Sequence, residues 1–313
     1  MLDRRLITVF GGAGFLGRHI VWRLARDGWL IRVAGRDPQR AMFLKTAGEA
    51  GQVVPIAADV THAGSVQAAL IDADAVINLV GILSPSGRNS FDAVHAQGAA
   101  NVAAAARDAG ADRVIHLSAI GASTASPSVY AQTKAAGEQA ARSAFPSVTI
   151  FRPSVVFGPE DDFFNRFASM ARILPVLPAF DGKVQPVYAG DVADAVLRAL
   201  ADPNTCGKTY ELGGPRVMTY REIMEIVLKE TGRDRWLVPY PLSIAAMQAW
   251  FLEKLPSPPL TRDQVKLLGI DNVVSANALG LKDLGITPTA VEAIVPTYLA
   301  SYRPSVKQSL RSL

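Results

Sequence analysis

The chain has 313 residues, 49% of them apolar, with 32 Lys and Arg against 28 Asp and Glu and a net charge of +4. That length and composition fit one large domain, or a domain plus a lobe, around a sizeable core, and they exclude a disordered chain. Basic and acidic residues are interspersed, which excludes a nucleic-acid footprint. The one basic excess is the tail, with Arg303, Lys307 and Arg311, read as solvated or as facing a membrane surface or acidic partner.

The first element is the apolar run Leu6–Phe10, a buried strand. Gly11-Gly12-Ala13-Gly14-Phe15-Leu16-Gly17 follows it and opens a helical pattern from Arg18 to Asp27. A strand, a glycine turn and a helix in that order make a phosphate cradle, because the first amides of a helix are unpaired and carry the positive end of its dipole. Gly11 makes the turn, Gly14 lets the backbone approach a dinucleotide's phosphates, and Gly17 lets the helix pack close to the strand.

The second strand, Ile31–Ala34, ends in Gly35-Arg36-Asp37. An acidic residue at the strand end holds a ribose 2′-hydroxyl, whereas a guanidinium matches a 2′-phosphate. Arg36, with Arg18 after the last glycine, favours NADP(H) over NAD(H), and Asp37 is the competing carboxylate. Val53–Ala57 is the third strand, with Asp59 and Val60 beyond it on the adenine side. Ala75–Leu79 is the fourth, with Asn78, Val80 and Gly81 at its carboxyl end, where ligands of such sheets lie. Helical Gly98–Ala109 leads to the fifth strand, Val114–Leu117, and helical Ala131–Ala144 to the sixth, Val148–Phe151. This alternation predicts an α/β fold, a Rossmann-type doubly wound parallel sheet with helices on both faces.

After Gly158 the rhythm breaks. Phe163–Ile173 reads as a helix, with Asp161 and Asp162 as its N-cap or, alternatively, a carboxylate pair. Val184–Tyr188 reads as a strand, Val192–Leu200 as a helix and Thr209–Leu212 as a strand, all returning to the main sheet. From Thr219 the pattern is mostly helical, punctuated by Pro239, Pro241, Pro256, Pro258 and Pro259. The expected division is a dinucleotide-binding domain of residues 1–160 with returning segments about 184–212, and a smaller lobe of 161–183 and 213–313. Apolar Leu242–Leu255, with Trp250 and Phe251, reads either as a core helix of that lobe or as an interface on a membrane or partner. No apolar run approaches the roughly 20 residues of a membrane span.

Tyr130 and Lys134 stand one helical turn apart on one face. A phenol titrates near ~10, and an adjacent ammonium favours its phenolate, so the pair suits proton transfer to a carbonyl. Lys134 can also hold a nicotinamide ribose. The pair resembles that of the short-chain dehydrogenase/reductase superfamily, which implies a Ser or Thr after the fifth strand to polarise the substrate carbonyl. The spacing of its classical members puts that hydroxyl at Ser118, twelve residues before Tyr130, and the strand-end alignment of its extended members puts Ala119 there. Loss of that donor removes about 3 kcal/mol of transition-state stabilisation.

These residues resemble the short-chain dehydrogenase/reductase superfamily in its extended or atypical branches. The resemblance is carried by Gly11/Gly14/Gly17, Asp59, Tyr130/Lys134, Arg152-Pro153-Ser154-Val155-Val156-Phe157-Gly158-Pro159 and Val187 to Ala193. It implies that Pro153, Val155 and Val156 pass beside the nicotinamide, that Phe15 and Leu16 belong to the cradle, and that Asp191 is structural. His116 to Ala122, Tyr130 to Glu138, Phe151 to Phe167, Thr261 to Val265 and Asp271 to Val274 further resemble the NAD(P)H-binding accessory subunits of respiratory complex I and their bacterial relatives. That likeness implies a tightly held NADPH, a peripheral position near the quinone-reacting region, and an accessory role in complex I or with quinone-synthesis proteins. The alternative is an active NADP-dependent oxidoreductase using Tyr130 and Lys134 on a hydrophobic or quinone-like carbonyl.

Cys206 is the only cysteine, which fits a reducing compartment. His19, His62, His95 and His116 lack ligand spacing, so no metal is expected, and His95 is expected to be structural. The first strand begins too early for a leader before it, so the expected place is the cytoplasm or, peripherally, the inner face of the cytoplasmic membrane.

Overall fold

The computed structural model describes residues 5–304 except Arg88, Pro256 and Ser257. Lys307 and Arg311 of the basic tail, and Pro256, lie outside the described residues. The chain runs β1 (Leu6–Phe10), α1 (Phe15–Arg26), β2 (Leu30–Gly35), β3 (Val53–Ala57), α2 (Ala63–Ala69), β4 (Ala75–Asn78) and α3 (Gly98–Asp108). Then come β5 (Arg113–Leu117), α4 (Val129–Ala144), β6 (Thr149–Pro153), β7 (Val156–Phe157), α5 (Phe164–Ile173), β8 (Val176–Ala179) and β9 (Lys183–Val184). These lead to β10 (Val187–Tyr188), α6 (Ala189–Ala201), β11 (Thr209–Leu212), β12 (Met218–Thr219), α7 (Tyr220–Thr231) and β13 (Trp236–Pro239). The last helices are α8 (Leu242–Leu252), α9 (Arg262–Leu268) and α10 (Val291–Leu299). None is long and apolar enough, among the described residues, to cross a membrane.

Two compact units result: Met1–Pro153 with Ala189–Leu212 and Ser275–Thr287, and Ser154–Tyr188 with Gly213–Val274 and Pro288–Leu313. The first unit is built on a seven-stranded parallel sheet in the order β11-β6-β5-β4-β1-β2-β3. Ile7, Val9, Phe10, Val76 and Ile77 are fully buried, as expected of strands covered on both faces. Helices α2, α3 and α4 pack in series, and α1 packs on α6. The chain moves outward from β1 through β2 and β3, then crosses to β4 on the other side of β1. That reversal leaves a crevice beyond the carboxyl ends of β1 and β4, the place where doubly wound sheets bind ligands.

The second unit has its own core of Phe157, Phe164, Leu177, Ile223, Met224 and Val295, drawn from β7, α5, β8, α7 and α10. Helix α8 buries Ala245 and Ala249 and leaves Ile244, Met247, Trp250 and Phe251 exposed. Only its small-residue face is core, so its large side chains are left for solvent or a partner.

The observed division differs from the expected one in three places. The first unit's opening stretch ends at Pro153 rather than at residue 160, because β7 pairs with β10 inside the second unit. Residues 184–188 form no strand of the main sheet. Pro186, which has no N–H to give a ladder, separates β9 from β10, and the return starts at Ala189. Residues 275–287 rejoin the first unit without any regular pattern. Glu211 N–H donates to Leu279 O at 2.8 Å, Ser275 N–H to Glu211 Oε2 at 2.8 Å, and Arg198 Nε to Leu284 O at 3.1 Å.

Candidate functional site

The glycine turn folds as its spacing requires. Gly11 has φ +78° and donates its N–H to Ala34 O at 3.0 Å, tying the turn to β2. A Cβ on Gly17 would stand 2.5 Å from Gly12 Cα and 2.6 Å from Gly11 O, so only glycine lets α1 start this close to β1. Gly14 is the N-cap of α1 and brings no side chain to cap it. The amides of Phe15, Leu16 and Gly17 therefore form a positive helix start of the kind that holds a pyrophosphate. The cradle fits such a group because its helix start presents backbone amides and Gly14, where a Cβ would meet Gly11 O at 3.2 Å, adds no side chain before them.

A cavity of about 530 Å³ lies beside this turn within the first unit. Gly11, Arg36, Asp59, Val60, Val80 and Gly81 all line it, brought together from the ends of four strands. Asp37 also lines the cavity, yet its Oδ1 accepts from Gln39 N at 3.0 Å and caps the 3-10 segment Pro38–Ala47. Asp59 Oδ1 accepts from Thr61 N at 2.9 Å and Thr61 Oγ1 at 2.8 Å. Burial pushes the Asp59 carboxyl up, but the Thr61 bonds and the charges of His62 and Arg36 hold it below the ordinary value. Arg18 is not part of the lining; its guanidinium lies 5.2 Å over the Phe43 ring. Asn78 lies behind the lining, where its Oδ1 accepts from Val80 N at 3.1 Å and so shapes the loop that does line it. Arg40, Ile82, Asn89 and Val94 also line the cavity and escaped the sequence reading. For Arg40 a signal exists, a second arginine four residues beyond Arg36; the others carry none.

Tyr130 and Lys134 lie in the first two turns of α4, whose N-cap Ser128 accepts from Ala131 N. Lys134 is 5% exposed, and its Nζ donates to Leu117 O at 3.2 Å. A Cβ on Gly81 would stand 3.2 Å from that Nζ, so the glycine gives the ammonium its room; Gly81 lines the cavity, whereas Lys134 and Tyr130 are not among its lining residues. Burial lowers Lys134 to about 8, against the opposing charge of Glu138. Lys134 Nζ is 6.0 Å from the centroid of the Tyr130 ring, and burial pushes the phenol up to about 12. Desolvation thus outweighs the phenolate-favouring effect read from the spacing.

His95 belongs to the same cluster, which the sequence reading missed. It is buried, accepts from Ile82 N at Nε2 (3.0 Å), and places Nδ1 3.0 Å from Thr133 Oγ1. His116 on β5 is also buried, with Nδ1 3.4 Å from Asn78 Nδ2 and no hydrogen bond at Nε2 among the described residues. Burial, then the Lys134 charge, holds each histidine at about 3, so both are neutral. Ser118 is buried and its Oγ has no partner among the described residues, whereas Ala119 is half-buried. Pro153 ends β6 in the first unit, while Val155 and Val156 open the second. Asp161 serves structure: Oδ1 accepts from Asn165 N at 3.1 Å, and Oδ2 from Gly158 N at 3.0 Å and Tyr298 OH at 2.6 Å.

Comparison with known proteins agrees with this geometry. The profile of the NAD dependent epimerase/dehydratase family matches residues 7–213. The NADH-ubiquinone oxidoreductase 40 kDa subunit of Neurospora crassa mitochondria is 38% identical over 304 residues, covering 97% of this chain and 81% of that protein. The NADH dehydrogenase [ubiquinone] 1 alpha subcomplex subunit 9 of Arabidopsis thaliana mitochondria is 38% identical, covering 95% of this chain and 77% of that protein. Among solved structures, the NADPH-dependent quinone oxidoreductase QOR2 of Escherichia coli, complexed with NADPH, superposes with a TM-score of 0.70 at 20% identity, covering 94% of this chain and 97% of that one. With its glycine cradle, its strand-end cavity and its Tyr130–Lys134 pair, the chain belongs to the NAD dependent epimerase/dehydratase family of extended short-chain dehydrogenase/reductases, and it is homologous to the complex I subunits named above.

Proposed function

We propose that this protein is an NADP(H)-binding accessory or assembly-type component linked to respiratory complex I or quinone metabolism, holding its dinucleotide as a structural ligand. The observation that carries this reading is a strand-end cavity lined by Arg36, Asp59 and Gly81 but not by Tyr130, Lys134 or Ser118. The glycine turn, Arg36 and the Asp59–Gly81 lining support a dinucleotide. Burial raises the Tyr130 phenol to about 12, further from the phenolate, and the Ser118 hydroxyl is buried at the strand end beside an alanine. NADP(H) is favoured over NAD(H) because Arg36 lines the cavity while the Asp37 carboxylate is engaged as a cap. The relatives carry complex I names over nearly the whole chain, which supports the assembly side of the reading. Exposed Met247, Trp250 and Phe251 on α8 give such a component an apolar face for peripheral assembly at the inner side of a membrane.

A second reading is an active NADP-dependent oxidoreductase, favoured by one observation: the Lys134 ammonium lies beside Gly81 of the cavity lining and 6.0 Å from the centroid of the Tyr130 ring. A bound dinucleotide would supply the reducing equivalent; Tyr130 would hold and give a proton at its phenol oxygen, and Lys134 would orient the ribose. Gentle solubilisation of host membranes and native separation by size distinguishes the two. The accessory reading expects migration with a large quinone-linked assembly, about one extractable NADP(H) per chain and no turnover. Migration alone, with NADPH-driven carbonyl reduction that disappears in Tyr130→Phe, establishes the oxidoreductase instead.

A further inference from the structure

His95 sits in a π-helical turn, Asp92–Gln97, that runs directly into α3. Such turns are rare within α-helices and recur at functional sites. This one is tightly wedged. A Cβ on Gly137 of α4 would lie 2.2 Å from His95 O, and one on Gly98 would lie 2.9 Å from Val60 Cγ2. The ring is held as firmly as the backbone: Phe91 stacks on it at 5.4 Å and Tyr130 meets it edge-on at 5.3 Å.

The hydrogen bonds at the two ring nitrogens fix the direction of a relay. Nε2 accepts the Ile82 N–H at 3.0 Å, so in the neutral ring the proton is on Nδ1. Nδ1 then donates to Thr133 Oγ1 at 3.0 Å. Thr133 Oγ1 in turn donates to the Tyr130 or Val129 carbonyl, each at 3.0 Å. Three side-chain and backbone donors thus run in one direction, from the loop that lines the cavity to the first turn of the helix carrying Tyr130 and Lys134.

We propose that His95 is a positioning residue that ties the Gly81–Ile82 wall of the cavity to the start of α4, so that dinucleotide seating and the placement of Tyr130 are set together. The proposal rests on the dinucleotide reading of the cavity. In that arrangement the ring acts on the cofactor through Ile82, and on the tyrosine through Thr133 and through its own edge-on contact with the Tyr130 ring.

The test uses the full-length protein, titrated with NADPH and separately with NADH, for wild type, His95→Leu, His95→Gln, Thr133→Val and the His95→Leu/Thr133→Val double variant. His95→Leu is expected to weaken binding of whichever dinucleotide the wild type takes by about tenfold, the scale of one hydrogen bond to a buried acceptor. His95→Gln, whose Oε1 can still accept from Ile82, should recover most of that loss. The double variant should bind no more weakly than His95→Leu alone, because both changes cut one relay. A glutamine no better than leucine, or losses that add in the double variant, overturns the proposal. Should His95→Leu not fold, Thr133→Val and His95→Gln carry the test. Thr133→Val then has to weaken binding about threefold, with His95→Gln within that margin of wild type, and an unchanged Thr133→Val overturns it. A wild type that binds neither dinucleotide overturns the cofactor reading and this proposal together. A wild type that binds, beside a His95→Leu that binds equally well, overturns this proposal alone.

Discussion

Arg152 grips Glu138 with two hydrogen bonds, Nε to Oε1 at 2.8 Å and Nη2 to Oε2 at 2.7 Å. The fork joins β6 to α4 one helical turn below Lys134 and is closed on its other side by Glu211, 3.5 Å from Nη1. Glu138 is 5% exposed, and its charge is also what opposes the lowering of Lys134 by burial. One carboxylate therefore holds the frame of the site and supports the proton on its lysine.

Glu138→Gln separates these contributions. It is expected to cost about 2 kcal/mol of stability, the value of a charge-assisted pair partly open to water at its arginine end. It should also drive Lys134 further below about 8. Urea unfolding at pH 7 and a pH titration of Lys134 reactivity check both; an unchanged midpoint would mean that Glu211 alone holds Arg152.

Lys134 itself is expected to destabilise the fold at neutral pH. Its ordinary value of 10.5 is lowered to about 8, so between those values the unfolded chain holds a proton that the folded chain lacks, and stability rises with pH through that window. Below pH 8 the full penalty, about 3 kcal/mol, is present. Lys134→Met removes it at the loss of one hydrogen bond to Leu117 O worth about 1 kcal/mol. The variant should melt higher than wild type at pH 7, and its advantage should vanish by pH 10.5. A lower melting temperature at pH 7 contradicts this account.

The two buried histidines predict acid sensitivity. Both are lowered from 6.5 to about 3, so as pH falls through that interval the unfolded chain takes up protons that the folded chain refuses. Stability should fall by up to about 1.4 kcal/mol per pH unit for each histidine. His116→Leu removes one of the two buried rings, so it should flatten the acid limb, at the cost near pH 7 of the Nδ1 contact with buried Asn78. Urea midpoints from pH 4 to 7 give the slope, and an unflattened slope argues against a buried neutral His116.

Arg36→Ala addresses cofactor choice. A charged hydrogen bond to a 2′-phosphate is worth roughly 1.5–3 kcal/mol, so NADPH should bind at least about tenfold more weakly while NADH changes little. Equal losses for both dinucleotides, measured by fluorescence titration, remove the 2′-phosphate role.

Much of the first unit was legible because its signals are local. β1 and β3 match their predicted ranges, and β2, β4, β5 and β6 differ by one or two residues at their ends, because a strand buried on both faces reads as a short apolar β-branched run. The cradle was legible because Gly11 needs a positive φ and Gly17 a bare Cα, both tied to fixed spacings. His95 was not legible: its partners Ile82 and Thr133 are 13 and 38 residues away. For Arg18, sequence adjacency to the cradle suggested a phosphate contact, and the fold sets its guanidinium over Phe43, a neighbour that sequence adjacency does not reveal.

By itself the sequence determined the order of strands and helices, the glycine turn and the one-turn spacing of Tyr130 and Lys134, because each follows from periodicity or from steric rules among near neighbours. Only the tertiary structure decided which groups are desolvated. Burial raises the Tyr130 phenol and lowers Lys134, buries Ser118 beside a half-buried Ala119, and sends residues 275–287 back to the first unit. Desolvation and long-range pairing depend on what the rest of the chain brings to a residue in space, and no local pattern encodes that.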